Sequence, residues 1–205
     1  MLPWLRAALP DRVGRAVDLG AGTGRYTTPL ADRAGEVLAV DISAQVLDVA
    51  RAERHRPNVS YQHRSLLEVT PERDGRFDLV VSVNTIHHLR DHDRVLPHVR
   101  SLLAPGGTAL LADIVAPSPG WASPWWHRRF ALREAGRTLA RRRSPADALV
   151  VLRLRTHPRW LDHVTTNIPL SRQEFHRRYA EAFPGARFTD DIHPIMCAMT
   201  WTAPS

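Results

Sequence analysis

The chain of 205 residues contains no lysine and only one cysteine, Cys197. A single cysteine excludes an internal disulfide and any metal site built from several thiolates, and its apolar surroundings predict a core residue. No stretch approaches the ~20 apolar residues of a membrane span, and the first residues lack the apolar centre of a secretion signal. We therefore expect a cytoplasmic protein without a membrane partner.

Positive charge is carried by arginine alone and is distributed unevenly. Residues 117–170 hold ten arginines against three acidic residues, and this excess of seven equals the net charge of the whole chain. The remaining sequence is balanced, so one segment is basic and the rest is neutral. The apolar content of 43% fits one globular domain with a substantial core.

Three alternate glycines near the N-terminus form the most informative motif. Residues 16–24 read Ala-Val-Asp-Leu-Gly-Ala-Gly-Thr-Gly, which predicts a strand ending in a turn where a ligand approaches the backbone. A dinucleotide fingerprint starting at Gly20 would need glycine at position 25, where the chain has Arg25. Asp18 would repel a pyrophosphate but suits a ligand with ammonium and sulfonium charges. S-adenosylmethionine carries both charges.

A second acidic residue follows the next predicted strand. Residues 36–42 read as a buried parallel strand, and Asp41 lies 21 residues after Gly20. This spacing places a carboxylate at the carboxyl end of the neighbouring strand, where it can accept hydrogen bonds from both hydroxyls of a ribose. NAD and S-adenosylmethionine share that ribose, so only the glycine spacing favours the second ligand.

With these motifs the chain resembles the class I S-adenosylmethionine-dependent methyltransferases of the small-molecule type. The resemblance implies a Rossmann-like, doubly wound α/β fold with a mostly parallel seven-stranded sheet and a C-terminal antiparallel hairpin, and the alternation of strand and helix patterns favours the same class. The predicted strands are 15–20, 36–42, 59–65, 77–84, 108–115, 186–192 and 195–202.

The resemblance also implies which residues bind the cofactor, S-adenosylmethionine. The family usually has Gly-Asp after the third strand, whereas this chain has Arg64 and Ser65, so a hydroxyl replaces a carboxylate as the acceptor beside the adenine. The expected cofactor-binding residues are Asp18, Gly20, Ala21, Gly22, Gly24, Asp41, Ile42, Ser65, Leu66 and Asn84.

Methyl transfer is an in-line displacement that requires alignment, exclusion of water and, for a protonated nucleophile, removal of a proton. His87 follows the fourth predicted strand and is the candidate base, because imidazole exchanges protons near neutral pH; the alternative is a loop residue that shapes the pocket. We expect Asp113, at the end of the fifth strand, to orient the acceptor, with His163 as a further catalytic candidate. His157 and His163 are six residues apart, which is not a helical ligand spacing, so we expect no metal.

The segment 117–170 is longer than the connection after the fifth strand needs. Leu132, Ala135 and Leu139 share one predicted helix face. We therefore predict one methyltransferase domain, residues 1–205, in which 117–170 is an inserted helical, basic, tryptophan-rich cap over the carboxyl edge of the sheet. The alternatives are that its tryptophans only pack the cap, or that the cap forms a homodimer surface. The expected acceptor-binding residues are His88, Trp121, Trp125, Trp126, Arg128, Arg129 and Trp160.

Three functions are compatible with these patterns. The leading hypothesis is methyl transfer to an oxygen or nitrogen nucleophile of a small molecule, such as a secondary metabolite. A nucleic-acid methyltransferase would use the basic cap to hold phosphates, but the residues from Asn84 to His87 lack the Asn/Asp-Pro-Pro-aromatic sequence typical of base methylation, so we expect no nucleic-acid partner. The third function is a non-catalytic, cofactor-binding partner protein.

Overall fold

A computed structural model describes residues 1–89, 91–116, 121, 123–166 and 169–205, without the side chains of residues 163 and 166. The chain divides into two compact units, residues 1–115 with 172–205, and residues 116–171. The strands are Val13–Leu19 (β1), Ala34–Asp41 (β2), Val59–His63 (β3), Phe77–Val83 (β4), Leu103–Ile114 (β5), Arg187–His193 (β6) and Met196–Thr202 (β7). The helices are Leu2–Ala8 (α1), Thr27–Ala31 (α2), Ala44–Glu53 (α3), Pro71–Asp74 (α4), His92–Ser101 (α5), Pro124–Arg142 (α6), Pro145–Thr156 (α7), Pro158–Thr166 (α8) and Arg172–Ala182 (α9).

The first unit is built on one seven-stranded sheet in the order β3-β2-β1-β4-β5-β7-β6. The five strands from β3 to β5 in this order pair in parallel, and β7 pairs antiparallel with both β5 and β6. The predicted fold class is therefore confirmed, including the C-terminal hairpin. The antiparallel register places Asp113 of β5 opposite Cys197 of β7.

The parallel strands form because their apolar runs are covered on both faces of the sheet. Val17, Leu79 and Leu110, from three adjacent strands, are all fully buried. The chain order reverses direction at β1, whose neighbours are β2 on one side and β4 on the other. In open α/β sheets, ligands bind outside the carboxyl ends of the strands at such a switch point.

Strand β5 differs from its prediction. It begins at Leu103 rather than Thr108, and its register with β4 jumps where Phe77 pairs with Leu103 and Leu79 with Thr108. The Ala-Pro-Gly-Gly sequence, residues 104–107, forms a bulge inside the strand, with Gly106 at a φ of +72°, a conformation that costs glycine little.

The second unit contains α6, α7 and α8, and is helical as the sequence predicts. Of the three residues predicted to share a helix face, Leu132 and Leu139 are exposed and Ala135 is buried. The buried residues of α6 are His127, Ala131 and Ala135, which are four residues apart and share one side of the helix. In the described part of the chain, no helix combines the length and apolarity needed to cross a bilayer.

Candidate functional site

Three neighbouring strands deliver polar residues to the carboxyl edge of the first unit's sheet. Asp18 is the penultimate residue of β1, Asn84 directly follows β4, and Asp113 is the penultimate residue of β5. Because parallel strands end at the same edge, residues far apart in sequence meet here. This edge is the candidate site.

The glycine turn after β1 is fastened to the end of β2. The backbone N–H groups of Gly20 and Ala21 both donate to the carbonyl oxygen of Val40 at 2.9 Å. The carboxylate of Asp41 accepts hydrogen bonds from the N–H of Gly22 and the N–H of Ser43, each at 2.9 Å. Each carboxylate oxygen keeps a lone pair that could accept a further hydrogen bond. Asp41 therefore shapes the turn and still has acceptor capacity.

The glycines of the turn have different neighbours, although the sequence treats them alike. A Cβ built on Gly20 would lie 2.1 Å from Oγ1 of Thr85, and one on Gly24 would lie 2.7 Å from the hydroxyl oxygen of Tyr61. A Cβ on Gly22 would meet no atom of the described residues within 4 Å. Gly20 and Gly24 therefore allow other segments of the protein to pack closely against the turn. Of the three glycines, only Gly22 borders open space where a ligand could approach.

Asp18 is buried and accepts a hydrogen bond from Oγ1 of Thr27 at 2.6 Å. Burial raises the pKa of Asp18 from 3.8 to about 6; the hydrogen bond from Thr27 opposes this shift, and the charge of Asp41 adds to it. A buried carboxylate with a second carboxylate nearby is stabilised by a positively charged ligand. The two carboxylates, Asp18 and Asp41, therefore fit a cation that also carries hydroxyl groups, as S-adenosylmethionine does.

The other expected cofactor residues lie around this turn. Ile42 is 74% exposed and directly follows Asp41, so it offers an apolar surface. Asn84 has a φ of +60°, an uncommon conformation for a residue other than glycine. The hydroxyl of Ser65 accepts from the N–H of Leu67 at 3.2 Å, and the side chain of Leu66 is buried. These contacts give Ser65 and Leu66 structural roles, and their contact with adenine stays a prediction.

His87 and Asp113 form a close pair at the same edge. The Nδ1 atom of His87 lies 2.5 Å from one carboxylate oxygen of Asp113, and the His87 backbone N–H donates to the other at 2.8 Å. Both side chains are more than 90% buried. Asp113 also accepts from the N–H of Ile114 at 2.9 Å. Asp113 therefore holds the imidazole of His87, and its expected role in orienting the methyl acceptor stays a prediction.

The expected acceptor-binding residues divide by burial. Trp121 and Trp126 lie inside the second unit, with ring centroids 4.8 Å apart, and the ring of Trp126 stacks on Phe130. The guanidinium of Arg155 lies 5.0 Å from the ring centroid of Trp160. These contacts support the alternative in which the tryptophans pack the unit. The exposed members of the set are His88, Trp125, Arg128 and Arg129.

The catalytic candidate His163 falls outside the described side chains. The role of the exposed residues in acceptor binding stays a prediction, as does the position of 117–170 over the sheet.

One group of potential metal ligands occurs in the described residues. The ligand atoms of His176, Asp190 and Cys197 all lie within 4.8 Å of one another. The Arg172 guanidinium lies 2.9 Å from Asp190, and the ring of His176 lies 3.0 Å from the same carboxylate oxygen. Burial raises the pKa of the Cys197 thiol to about 12, and Asp190 adds to the shift. Because the carboxylate of Asp190 already pairs with a guanidinium and the thiol of Cys197 is neutral, this group of residues is a poor site for a metal cation.

Sequence reasoning missed Thr27, Thr85 and Tyr179. Thr27 binds Asp18, Thr85 packs against Gly20, and Tyr179 is fully buried near Asp113. Burial, with Asp113 and Cys197 nearby, raises the pKa of Tyr179 well above its usual range, so its phenol stays neutral. Thr27 had one sequence indication, since a hydroxyl residue soon after a buried aspartate is a plausible donor.

Sequence comparison relates the part of the chain that forms this site to a known protein family. Residues 17–111, from β1 into β5, match the family model described as a methyltransferase domain. A ubiquinone biosynthesis O-methyltransferase from Chelativorans sp. (strain BNC1) is 30% identical over 110 residues, which are 53% of this chain and 44% of that protein. Residues 17–111 therefore match a methyltransferase domain, and solved S-adenosylmethionine-dependent methyltransferases share the fold of the chain.

Solved structures show the same methyltransferase fold. An S-adenosylmethionine dependent methyltransferase from Mesorhizobium loti gives a TM-score of 0.63 at 20% identity, covering 98% of this chain and 96% of that one. The N-methyltransferase NodS from Bradyrhizobium japonicum WM9, in complex with S-adenosyl-L-homocysteine, gives 0.63 at 14% identity, covering 100% and 85%. The chain spans about half of the length of most curated relatives it matches, and 24% of one.

Proposed function

We propose that this methyltransferase domain transfers a methyl group from S-adenosylmethionine to an oxygen or nitrogen nucleophile of a small molecule, with His87 as the base. The observation that carries the proposal is the buried pair of His87 and Asp113 at the carboxyl edge of the sheet. A relative of this domain is named as an O-methyltransferase and a structural neighbour as an N-methyltransferase, which supports both kinds of nucleophile.

The pair prepares His87 to accept a proton. Asp113 accepts from Nδ1 of His87, which leaves Nε2 as the unprotonated nitrogen of the neutral ring. A second contact, from the backbone N–H of His87 to Asp113, fixes the ring with respect to the loop after β4. Nε2 can then take the proton of an acceptor hydroxyl as its oxygen attacks the methyl carbon, or remove a proton from an ammonium before its nitrogen attacks.

The turn and its two carboxylates are proposed to hold the cofactor. Asp41 would accept hydrogen bonds from the ribose hydroxyls while keeping the N–H of Gly22 in place. Asp18 would supply negative charge for a cationic ligand. The cofactor itself supplies a methyl group on a sulfonium, whose positive charge is lost when the methyl group leaves.

The test is release of S-adenosyl-L-homocysteine from labelled methyl donor in the presence of phenols, hydroxy acids and amines, with tRNA as a separate arm. We expect a labelled small-molecule product that depends on His87. Methylation of tRNA alone would favour the nucleic-acid alternative. Cofactor binding without a product in any arm would favour the non-catalytic alternative.

Cofactor affinity is expected to fall as the pH drops through about 6. Below that pH the buried Asp18 becomes protonated and no longer attracts a positive ligand. For one group of this pKa, the dissociation constant should rise about fourfold between pH 7.0 and pH 5.5. Isothermal titration calorimetry with S-adenosylmethionine at these two pH values measures the change.

The variant Asp18→Asn is the control, because an amide does not titrate and can still accept the hydrogen bond from Thr27. Its dissociation constant should be the same at both pH values, and a fourfold change in this variant would assign the effect to another group.

The stability of the cofactor-free protein should show the opposite dependence on pH, because protonation of Asp18 favours the folded state. The folded pKa of Asp18 lies above 3.8, so its contribution to stability is present below about pH 3.8 and is lost as the pH rises through about 6.

A further inference from the structure

The outer face of helix α6 carries large apolar side chains in a regular stripe. Trp125 is 71% exposed, Leu132 61% and Leu139 45%. These residues are seven apart, so they drift by only about 20° per step around the helix and form one line along it. Gly136, which lies between the two leucines on the same side, would meet no atom within 4 Å of an added Cβ.

Arginines lie near both ends of this stripe. Arg128 and Arg129 follow Trp125 by three and four residues, Arg142 follows Leu139 by three, and Arg143 caps the end of the helix at a φ of +52°. Side chains three and four residues apart are neighbours on a helix surface. The four arginines are exposed, and one of them, Arg142, is 3.3 Å from Asp147. The stripe is therefore both apolar and strongly basic.

We propose that this face of α6 binds peripherally to a membrane surface that contains anionic phospholipids. Amphipathic helices of this type lie in the interface plane, with tryptophan and leucine among the acyl chains and arginine at the phosphates. Peripheral binding needs no membrane-spanning helix. The inference goes beyond methyl transfer and uses no residue of the proposed cofactor site.

Charge decides against the other occupants of the face. A second copy would bring another segment with an excess of seven positive charges against the first, and like charges across an interface are unfavourable. A nucleic acid would neutralise the arginines but would leave the tryptophan and both leucines in water. Of these three occupants, the membrane surface, with its anionic headgroups and apolar interior, is the one that satisfies both parts of the stripe.

The test is co-sedimentation with vesicles of phosphatidylcholine alone and of phosphatidylcholine with about one third phosphatidylglycerol. We expect at least tenfold stronger binding to the anionic vesicles, weakened by salt. Leu132→Asp should reduce that binding at least fivefold. Val49→Asp, on the exposed side of α3, removes an apolar side chain and adds the same charge, and it should bind as the original protein does.

Equal binding of the two variants would overturn the proposal, as would the absence of vesicle binding by the original protein. Size-exclusion chromatography adds a second readout. A dimer that Leu132→Asp converts to a monomer, without vesicle binding, would assign the face to a second copy. Binding of a single-stranded RNA oligonucleotide that Leu132→Asp leaves unchanged, again without vesicle binding, would assign it to nucleic acid. Circular dichroism of each variant reports whether the helices remain folded.

Discussion

Replacing His87 by alanine is expected to lower kcat for methyl transfer by about 10²- to 10⁴-fold, the usual contribution of a positioned general base. The loss should fall on kcat, because the variant removes proton transfer and leaves the turn that holds the cofactor. The measurement is steady-state release of S-adenosyl-L-homocysteine with an acceptor from the small-molecule screen, beside calorimetric titration of the cofactor.

Two further variants define what His87 does. Asp113→Asn should also lower kcat, since an amide at this position can hold the imidazole in the wrong tautomer. His55→Ala removes an exposed histidine from another part of the first unit and should leave kcat unchanged. If His87 only shapes the pocket, His87→Ala would raise KM for the acceptor at constant kcat, and the role as base would be wrong.

Replacing Asp41 by alanine is expected to weaken S-adenosylmethionine binding by at least ~1.5 kcal/mol, which is more than tenfold in the dissociation constant. The variant removes the proposed acceptor for the ribose hydroxyls. It also removes the acceptor for the N–H of Gly22, so the turn loses one of the contacts that fix it to the end of β2. Calorimetric titration of the purified protein gives the two dissociation constants.

The matched control is Asp48→Ala, which removes an exposed carboxylate of α3 that pairs with Arg51. It should leave cofactor affinity unchanged. Asp41→Asn provides a graded variant, because its amide oxygen can still accept from Gly22 but carries no charge, and its affinity should fall between the other two. A folded Asp41→Ala protein with unchanged affinity would contradict the proposed role of this carboxylate.

The sequence predicted the sheet well because its indications are local. Apolar runs such as Phe77–Val83, with turn residues around them, identify a buried strand without knowledge of its neighbours. The departure at β5 has a cause that is not local. Proline and two glycines predict a turn, but a bulge uses the same residues, and only the pairing of Phe77 with Leu103 distinguishes the two.

The details of the site depend on contacts between distant residues, which the sequence does not display. Gly20 matches the pattern of a ligand turn, yet the atom that requires glycine there belongs to Thr85, 65 residues later. The partner of Asp113 could have been inferred in part, since His87 and Asp113 were both predicted at the carboxyl ends of parallel strands. The direction of the Asp113 side chain toward His87 follows only from the three-dimensional structure.

The second unit shows a different limit of sequence patterns. An apolar stripe such as Leu132 and Leu139 predicts that a helix has an apolar face but does not say what covers it. The structure buries the side with Ala131 and Ala135 instead, since small side chains allow helices to approach closely. The larger apolar residues Leu132 and Leu139 remain exposed, which the pattern alone does not predict.

The pairing of Asp113 with Cys197 has a consequence for the order in which the two parts of the site form. The glycine turn and its two carboxylates contact residues that all precede β5 in the chain, the latest of them being Thr85. The strand that carries Asp113 gains its second neighbour only when Met196–Thr202 has been synthesised. During synthesis the turn can therefore fold before the pair of His87 and Asp113 is fixed in place.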